Sequence, residues 1–371
     1  MREVRILHTA DLHMDSAFES LSAGKASVRR SEQRVLLGRL AELAVRESAD
    51  IVLLSGDLLD SDSTFFETGE ELIRSLGHIP VPVFIAPGNH DYYSPRSPYA
   101  RLKLPKNVYV FSARELECVE LPEIGVRVFG AAFTDKRSPA LLEGFTADRK
   151  DGMFNLLCIH GEVGVKDSAY NGVSMEALAA SNIDYAAFGH IHRGSGLQKA
   201  GGTWYSWPGC PEGRGFDETG EKTVNLVTLS DEGCSLRCVS IAERRYEDIT
   251  VDITGVDPLL AIHTQLPDDT ASDIYRITLT GEADVSPDIG ALYAQLADMF
   301  FELQLRDETR LRHDIWEYTG EDTLRGLFLL KLKKKLDEAK DDEQRREIEQ
   351  AARWGLAALC GMEEVARHED K

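Results

Sequence analysis

Three observations predict an α/β layered domain. Short apolar runs alternate with amphipathic ones over the first ~240 of the 371 residues. Several apolar runs end on glycine followed by Asp, Asn or His. A hydrophobic content of 43% over this length is enough to bury two or three cores.

Taken in order, the expected strands are 4–7, 51–54, 83–85, 126–129, 155–159 and 185–188, each short and apolar. Between the first two lies "RRSEQRVLLGRLAELAVRES", where Val35, Leu36, Leu40, Leu43 and Ala44 recur near helical spacing. Residues 66–77 form a second helix-like run that joins the second strand to the third. Near residue 243 the texture changes. "YEDITVDITG", "PLLAIHTQL" and "DIYRITLTGEA" read as a small strand–helix–strand unit, and from Pro287 onward the chain reads as mainly helical. The expected division is 1–242, a core; 243–317, a small α+β cap domain; and 318–371, a helical C-terminus.

Six cysteines (118, 158, 210, 234, 238 and 360) show no CxxC spacing, so a disulfide framework or structural zinc is not expected. No run approaches 18 apolar residues, and the chain enters a strand almost at once, leaving no room for a secretory signal. A cytoplasmic protein with no membrane association is expected. Formal net charge is −21, which argues against non-specific coating of nucleic acid or anionic membrane. Residues 1–240 hold 25 Lys and Arg against 33 Asp and Glu, whereas the remaining 131 hold 17 against 30. The acidity is concentrated in the C-terminal third.

The strand ends carry the chemistry. "VRILHTADLHMDS" runs into Asp11 and His13, and "IVLLSGDLLD" into Asp57 and Asp60. "VFIAPGNHDYY" ends in Asn89, His90 and Asp91, "NLLCIHGE" in His160, and "YAAFGHIH" in His190 and His192. In open α/β sheets ligands bind at the carboxyl ends of the strands. A lone histidine there is ordinarily a satisfied polar residue. Five of the ten histidines placed this way are hard to attribute to turns. Asp11, His13, Asp57, Asn89, His160, His190 and His192 form a mixed nitrogen and oxygen set without thiolate, too large for one tetrahedral zinc. Two divalent ions sharing a carboxylate fit it, with Mn²⁺ or a similar first-row ion favoured. Such a pair can activate water and clamp both oxygens of an in-line displacement at phosphorus. His8 is expected in the core or behind the ligands, and Asp15 behind them at best. His78, His263, His313 and His368 are expected at the surface.

The ordered series DLH, GDLLD, GNHD, HG and GHIH resembles the calcineurin-like metallophosphoesterase superfamily over about the first 195 residues. That resemblance implies a four-layered α/β/β/α sandwich around a dimetal site. "ILHTADLHMDSAF", "SNIDYAAFGHIHRG" and "YSWPGCPEGRGFDETGEKTVNLVTL" look like the SbcD/YhaO-type DNA-repair exonuclease branch. The third stretch discriminates best, because generic phosphodiesterases need nothing like it. By resemblance, Asp11, His13, Asp57 and His192 hold one metal, and Asp57, Asn89, His160 and His190 the other, with Asp57 bridging. His90 matches the catalytic histidine, and Asp60 would orient it and favour its protonated form. Eukaryotic and archaeal nucleases of this kind usually carry a histidine where this chain has Asp60.

The expected function is Mn²⁺-dependent hydrolysis of DNA phosphodiesters by dimetal-activated water, of the exonuclease type. The alternative is a small-molecule phosphodiesterase or phosphatase on the same core. Acidity is the main objection to a nuclease, since only Arg29-Arg30, Lys136-Arg137, Arg149-Lys150 and Arg193 offer basic clusters. Residues 318–365 read as two helices around the acidic turn Asp341-Asp342-Glu343, with more apolar surface on the first than one antiparallel packing uses. Because the resembling nucleases dock an SbcC/Rad-type coiled-coil ATPase through C-terminal helices, the same partner is expected here. Homodimers are also common in that family.

Overall fold

The computed structural model describes residues 2–61, 63–165, 168–283, 286–311, 315–339 and 341–360. Two units divide the chain. One comprises Met1–Thr250, Gln265–Thr278 and Ile289–Arg306, the other Val251–Thr264, Leu279–Asp288 and Asp307–Lys371.

Two six-stranded sheets build the first unit. In one, β1 (Glu3–Thr9), β2 (Ile51–Leu54), β3 (Val83–Ile85) and β4 (Val108–Val110) lie side by side in that order and parallel. The hairpin Val224–Ser230/Gly233–Val239 adds two antiparallel strands outside β1. The other sheet runs β5 (Glu117–Leu121), β6 (Val126–Gly130), β7 (Phe154–His160), then Tyr185–Gly189, Thr203–Ser206 and Gln198–Ala200.

Strand side chains alternate between faces, and here both faces are apolar. Val4, Ile6, Ile51, Leu53 and Phe84 from the first sheet meet Val126, Val128, Leu156, Cys158 and Ala187 from the second. The intervening residues Leu7, Val52, Leu54, Val83 and Ile85 pack on α1 (Ala23–Arg46) and α2 (Phe66–His78) through Leu36, Leu40, Leu72 and Leu76. On the outer face of the second sheet, Phe129, Leu157, Ile159 and Phe188 pack on Leu142 and on Leu178 of the helix Met175–Ala180. The result is the expected α/β/β/α sandwich. The six expected strands are all present.

Three details differ from expectation. Val35 is exposed, and Leu37 takes the buried place on α1. Asp15 caps α2: its carboxylate accepts from the Phe65 N–H and from the Thr64 and Thr68 hydroxyls at 2.9, 2.8 and 2.5 Å. After Pro287 the chain is not helical throughout, because Glu302–Asp307 joins Tyr246–Asp252 and Ile274–Thr280 in a three-stranded sheet. His8 is fully buried between Tyr185 Oη (2.8 Å) and the Phe188 carbonyl (3.1 Å), and burial pushes it down to about 3. His78 and His263 are exposed, whereas His313 and His368 lie outside the described residues.

In the second unit, the helices Leu324–Asp337 and Asp342–Cys360 meet through Leu329, Ala352 and Leu356, with Trp316, Tyr318 and Phe328 against them. Leu324, Leu327, Trp354 and Leu359 remain exposed. Among the described residues no helix is long and apolar enough to cross a membrane.

Candidate metal centre

The parallel register sets the site. Thr9 pairs with Leu54 and Leu54 with Ile85, so β1, β2 and β3 end at one level and release their loops together. In the second sheet His160 pairs with Gly189, which brings His160 beside the start of Gly-His-Ile-His. Close approach here requires glycine: a Cβ at Gly189 would stand 2.0 Å from the Ser55 carbonyl oxygen, and one at Gly88 2.2 Å from Asp57 Oδ1.

Asp11, His13, Asp57 and His190 all have positive φ, at 55°, 44°, 51° and 94°. For non-glycine residues this conformation costs on the order of 1–3 kcal/mol each and persists only where the surroundings enforce it. The enforcing bonds are visible. Asp11 N–H donates to Gly56 O (3.0 Å), His13 N–H to Asp57 O (2.9 Å), and His190 N–H to Asp11 Oδ1 (3.0 Å).

Asp91 holds the neighbouring loop. Its fully buried carboxylate accepts from the N–H groups of Gly88, Asp57, Leu58 and Leu59, at 2.7, 3.2, 2.7 and 3.2 Å, and from the Tyr99 hydroxyl. Burial, reinforced by the Asp57 charge, pushes its carboxyl up. Asp91→Ala would strand several buried N–H groups at about 1–3 kcal/mol each. Chemical denaturation should therefore report a loss of at least about 3 kcal/mol. A loss below about 1 kcal/mol would show that the loop does not depend on Asp91.

The seven residues expected as ligands converge. Asp11, His13 and His192 place ligand atoms within 4.8 Å of one another, as do Asp57, His160 and His190. His13 Nε2 and His192 Nε2 are 3.2 Å apart, and His160 Nε2 and His190 Nδ1 3.3 Å. Asn89 Oδ1 lies 3.0 Å from His160 Nε2 and 3.1 Å from His190 Nδ1. Asp57 stands between the two groups, with Oδ2 3.3 Å from His160 Nε2 and 3.8 Å from His13 Nε2.

Every one of these imidazoles has its other nitrogen engaged. His13 Nδ1 meets Asp60 Oδ1 (3.0 Å), and His160 Nδ1 the Ser55 carbonyl (2.9 Å). His190 Nε2 meets Glu162 (3.2 Å), and His192 Nδ1 meets Glu218 (2.7 Å). A carbonyl or carboxylate partner takes the N–H, so in the neutral rings bare lone pairs face each other across each group. Such an arrangement is repulsive unless a positive charge lies between. The donor set fits two divalent cations.

The electrostatics agree. Burial pushes Asp57 up, but His160 and His13 outweigh it and hold the carboxyl well below its usual range. Burial and the Asp57 charge raise Asp11 to about 7, against the pull of His160 and His192. His160 is held up at about 9 by Asp57 and Asp11 despite its burial. Burial carries His13 and His190 down to about 4. A carboxylate this deeply buried needs a positive neighbour, and a proton on His160 supplies the charge that a cation would replace.

His90 and Asp60 stand at the edge. His90 N–H donates to Asp57 Oδ1 (2.9 Å), and its half-exposed ring lies edge-on to His13 at 4.7 Å. One His90 ring nitrogen also lies within 4.8 Å of ligand atoms of His13 and Asp57. Asp60 is shared: its backbone carbonyl is 3.3 Å from His90 Nδ1, while its carboxylate lies 3.0 Å from His13 Nδ1 and 3.8 Å from His90.

Sequence reasoning missed Glu162 and Glu218, the carboxylates behind His190 and His192. Glu162 directly follows His160-Gly161, a signal within reach of the motif. Arg214 and Glu218 lie in the glycine-rich segment, and no local spacing ties them to His192.

Comparison with known proteins adds a family. Residues 4–194, just over half of the chain, match the calcineurin-like phosphoesterase model. The chain is 27% identical over 290 residues to the "uncharacterized metallophosphoesterase YhaO" of Bacillus subtilis, covering 74% of this chain and 69% of that protein. It is 25% identical over 304 residues to the DNA double-strand break repair protein Mre11 of Saccharolobus solfataricus, covering 75% and 76%. Against the SbcD subunit of the SbcCD nuclease of Rhodobacter capsulatus it is 30% identical over 132 residues, 34% of this chain and 27% of that one. The sandwich, the convergent ligands and this match together place the chain in the calcineurin-like phosphoesterase family, among relatives of YhaO, Mre11 and SbcD.

Proposed function

We propose that the chain is a Mn²⁺-dependent phosphodiesterase that hydrolyses DNA, of the exonuclease type. The observation that carries the hydrolase reading is the convergence of two donor groups on Asp57. Likeness to Mre11 and to the SbcCD nuclease supports DNA as substrate. Asp11, His13, Asp57 and His192 would hold one ion, and Asp57, Asn89, His160 and His190 the other. Bound there, two divalent cations supply Lewis-acid polarisation of the phosphate and activation of the attacking water.

The chain's own groups do the rest. His90 is half exposed, so a substrate can reach it, and its Nδ1 faces the Asp60 carbonyl. It donates a proton to the departing sugar oxygen. Asp60 steadies both His90 and His13.

The acidic charge favours a second reading, hydrolysis of a small phosphodiester. A Mn²⁺-dependent assay on end-labelled linear DNA, circular DNA and a chromogenic phosphodiester separates them. Degradation of the linear DNA with the circle spared is expected. Turnover of the chromogenic ester alone would reject the DNA reading.

Residues 318–365 are proposed to dock a coiled-coil ATPase, supported by the exposed Leu324, Leu327, Trp354 and Leu359. Met362 and its neighbours to 365 lie outside the described residues. Deleting the segment should preserve hydrolysis of the chromogenic ester and abolish co-purification with the ATPase. Aggregation or metal loss on deletion would assign the helices to the fold instead.

A further inference from the structure

The seven ligands leave the segment "GRGFDETG" without a role, although it lies against the site. Glu218 is 4% exposed. Its N–H donates to Gly215 O (3.0 Å) in a turn that sets Arg214 and Glu218 side by side. Both carboxylate oxygens are engaged. Oε1 accepts from His192 Nδ1 (2.7 Å) and Arg214 Nη2 (2.6 Å), and Oε2 from the Arg214 backbone N–H (2.8 Å) and Nε (3.2 Å). Arg214 Nη1 then reaches Asp60 Oδ1 at 3.4 Å, the oxygen that receives His13 Nδ1. A continuous frame, His192–Glu218–Arg214–Asp60–His13, therefore runs behind the two nitrogens that face each other at 3.2 Å.

We propose that Glu218 is a positioning residue for the Asp11–His13–His192 half of the centre, with Arg214 tying it to Asp60 so that both rings are aimed together. The inference rests on the two-ion reading above. The imidazole alone does not choose which nitrogen is bare. Arg214 Nη2 also stands 3.2 Å from Nδ1, but the carboxylate is nearer at 2.7 Å, takes the ring N–H and leaves Nε2 for the ion. A guanidinium forks to two carboxylates with fixed geometry, which an ammonium cannot do. Loss of the Glu218 charge would also leave Arg214 poorly compensated beside a cation site. The other half has no part in this frame: its rings lean on the Ser55 carbonyl and on Glu162.

The test is Mn²⁺ titration of the full chain by calorimetry, with metal content measured alongside, on wild type, Glu218→Gln, Arg214→Lys and His192→Ala. Wild type should bind two ions. Glu218→Gln should weaken one step by about 10–100-fold, the loss typical of an outer partner of a ligand, and leave the other within about twofold. The weakened step should be the one that His192→Ala abolishes. Arg214→Lys should weaken the same step by less. Melting of the metal-free Glu218→Gln protein should fall, because Arg214 loses a buried partner, so the discriminating readout is the unequal loss between the two steps, which a merely structural role would not produce. Two unaltered steps in Glu218→Gln, or equal weakening of both, would overturn the inference. A wild type that takes up fewer than two ions would overturn the two-ion reading itself, and the inference with it.

Discussion

Asp57→Asn is expected to empty both metal sites at once. The carboxylate is 2% exposed and stands between the two donor groups, 3.3 Å from His160 Nε2 and 3.8 Å from His13 Nε2. Its backbone is held at φ 51°, and Oδ1 accepts the His90 N–H, so the side chain cannot swing away to solvent. Asparagine keeps the shape but removes the charge and can turn an NH₂ towards the converging lone pairs. Both ions lose a ligand, so the loss of activity should exceed the 10–100-fold typical of an outer hydrogen-bond partner. His192→Ala, by contrast, should mainly empty one site. Metal content of the two purified variants decides the matter. Near-full occupancy in Asp57→Asn would defeat the bridging assignment.

The second large effect is expected at His90. Its ring lies close enough to His13 and Asp57 to be mistaken for a ligand, so proximity alone does not define its role. Its exposure does suggest one: the side chain is 45% accessible, where those of His13, His160, His190 and His192 are 1%, 0%, 18% and 32%. A group that must meet a leaving oxygen needs that access, whereas a ligand gains from burial. His90→Ala should therefore retain both ions and lose about 10²–10⁴-fold in turnover, the range that general acid catalysis supplies. Metal loss in this variant would make His90 a ligand, and undiminished turnover on DNA would remove it from the chemistry.

Much of this was legible because parallel strands buried on both faces read as short apolar runs, and ligands gather where such runs end. Asp11, His13, Asp57, Asn89, His160, His190 and His192 all sit within four residues of a strand end, so local pattern sufficed. The groups behind them were less legible, for differing reasons. Glu218 reaches His192 across 26 residues of loop and strand, and no periodicity encodes such a contact. Asp91 belongs to Gly-Asn-His-Asp, yet its work is to gather backbone N–H groups from two loops, which a side-chain motif does not reveal. Asp15 carries the same residue type as the ligands, but the turn after His13 aims it at the start of α2. Some misses were avoidable. Phe301, Leu303 and Leu305 alternate as a strand should, and the period-two signal marks the strand Glu302–Asp307 that a helical reading passed over. On α1, Leu37 rather than Val35 faces the core because the buried stripe follows 36, 37, 40, 41, 43 and 44.

Two cations are proposed to share one carboxylate at the meeting of the two sheets, and anomalous diffraction from crystals grown with Mn²⁺ would locate them. Two peaks are expected, one bounded by Asp11, His13 and His192 and the other by Asn89, His160 and His190, with Asp57 touching both. A single peak, or two peaks that do not share Asp57, would contradict that sharing.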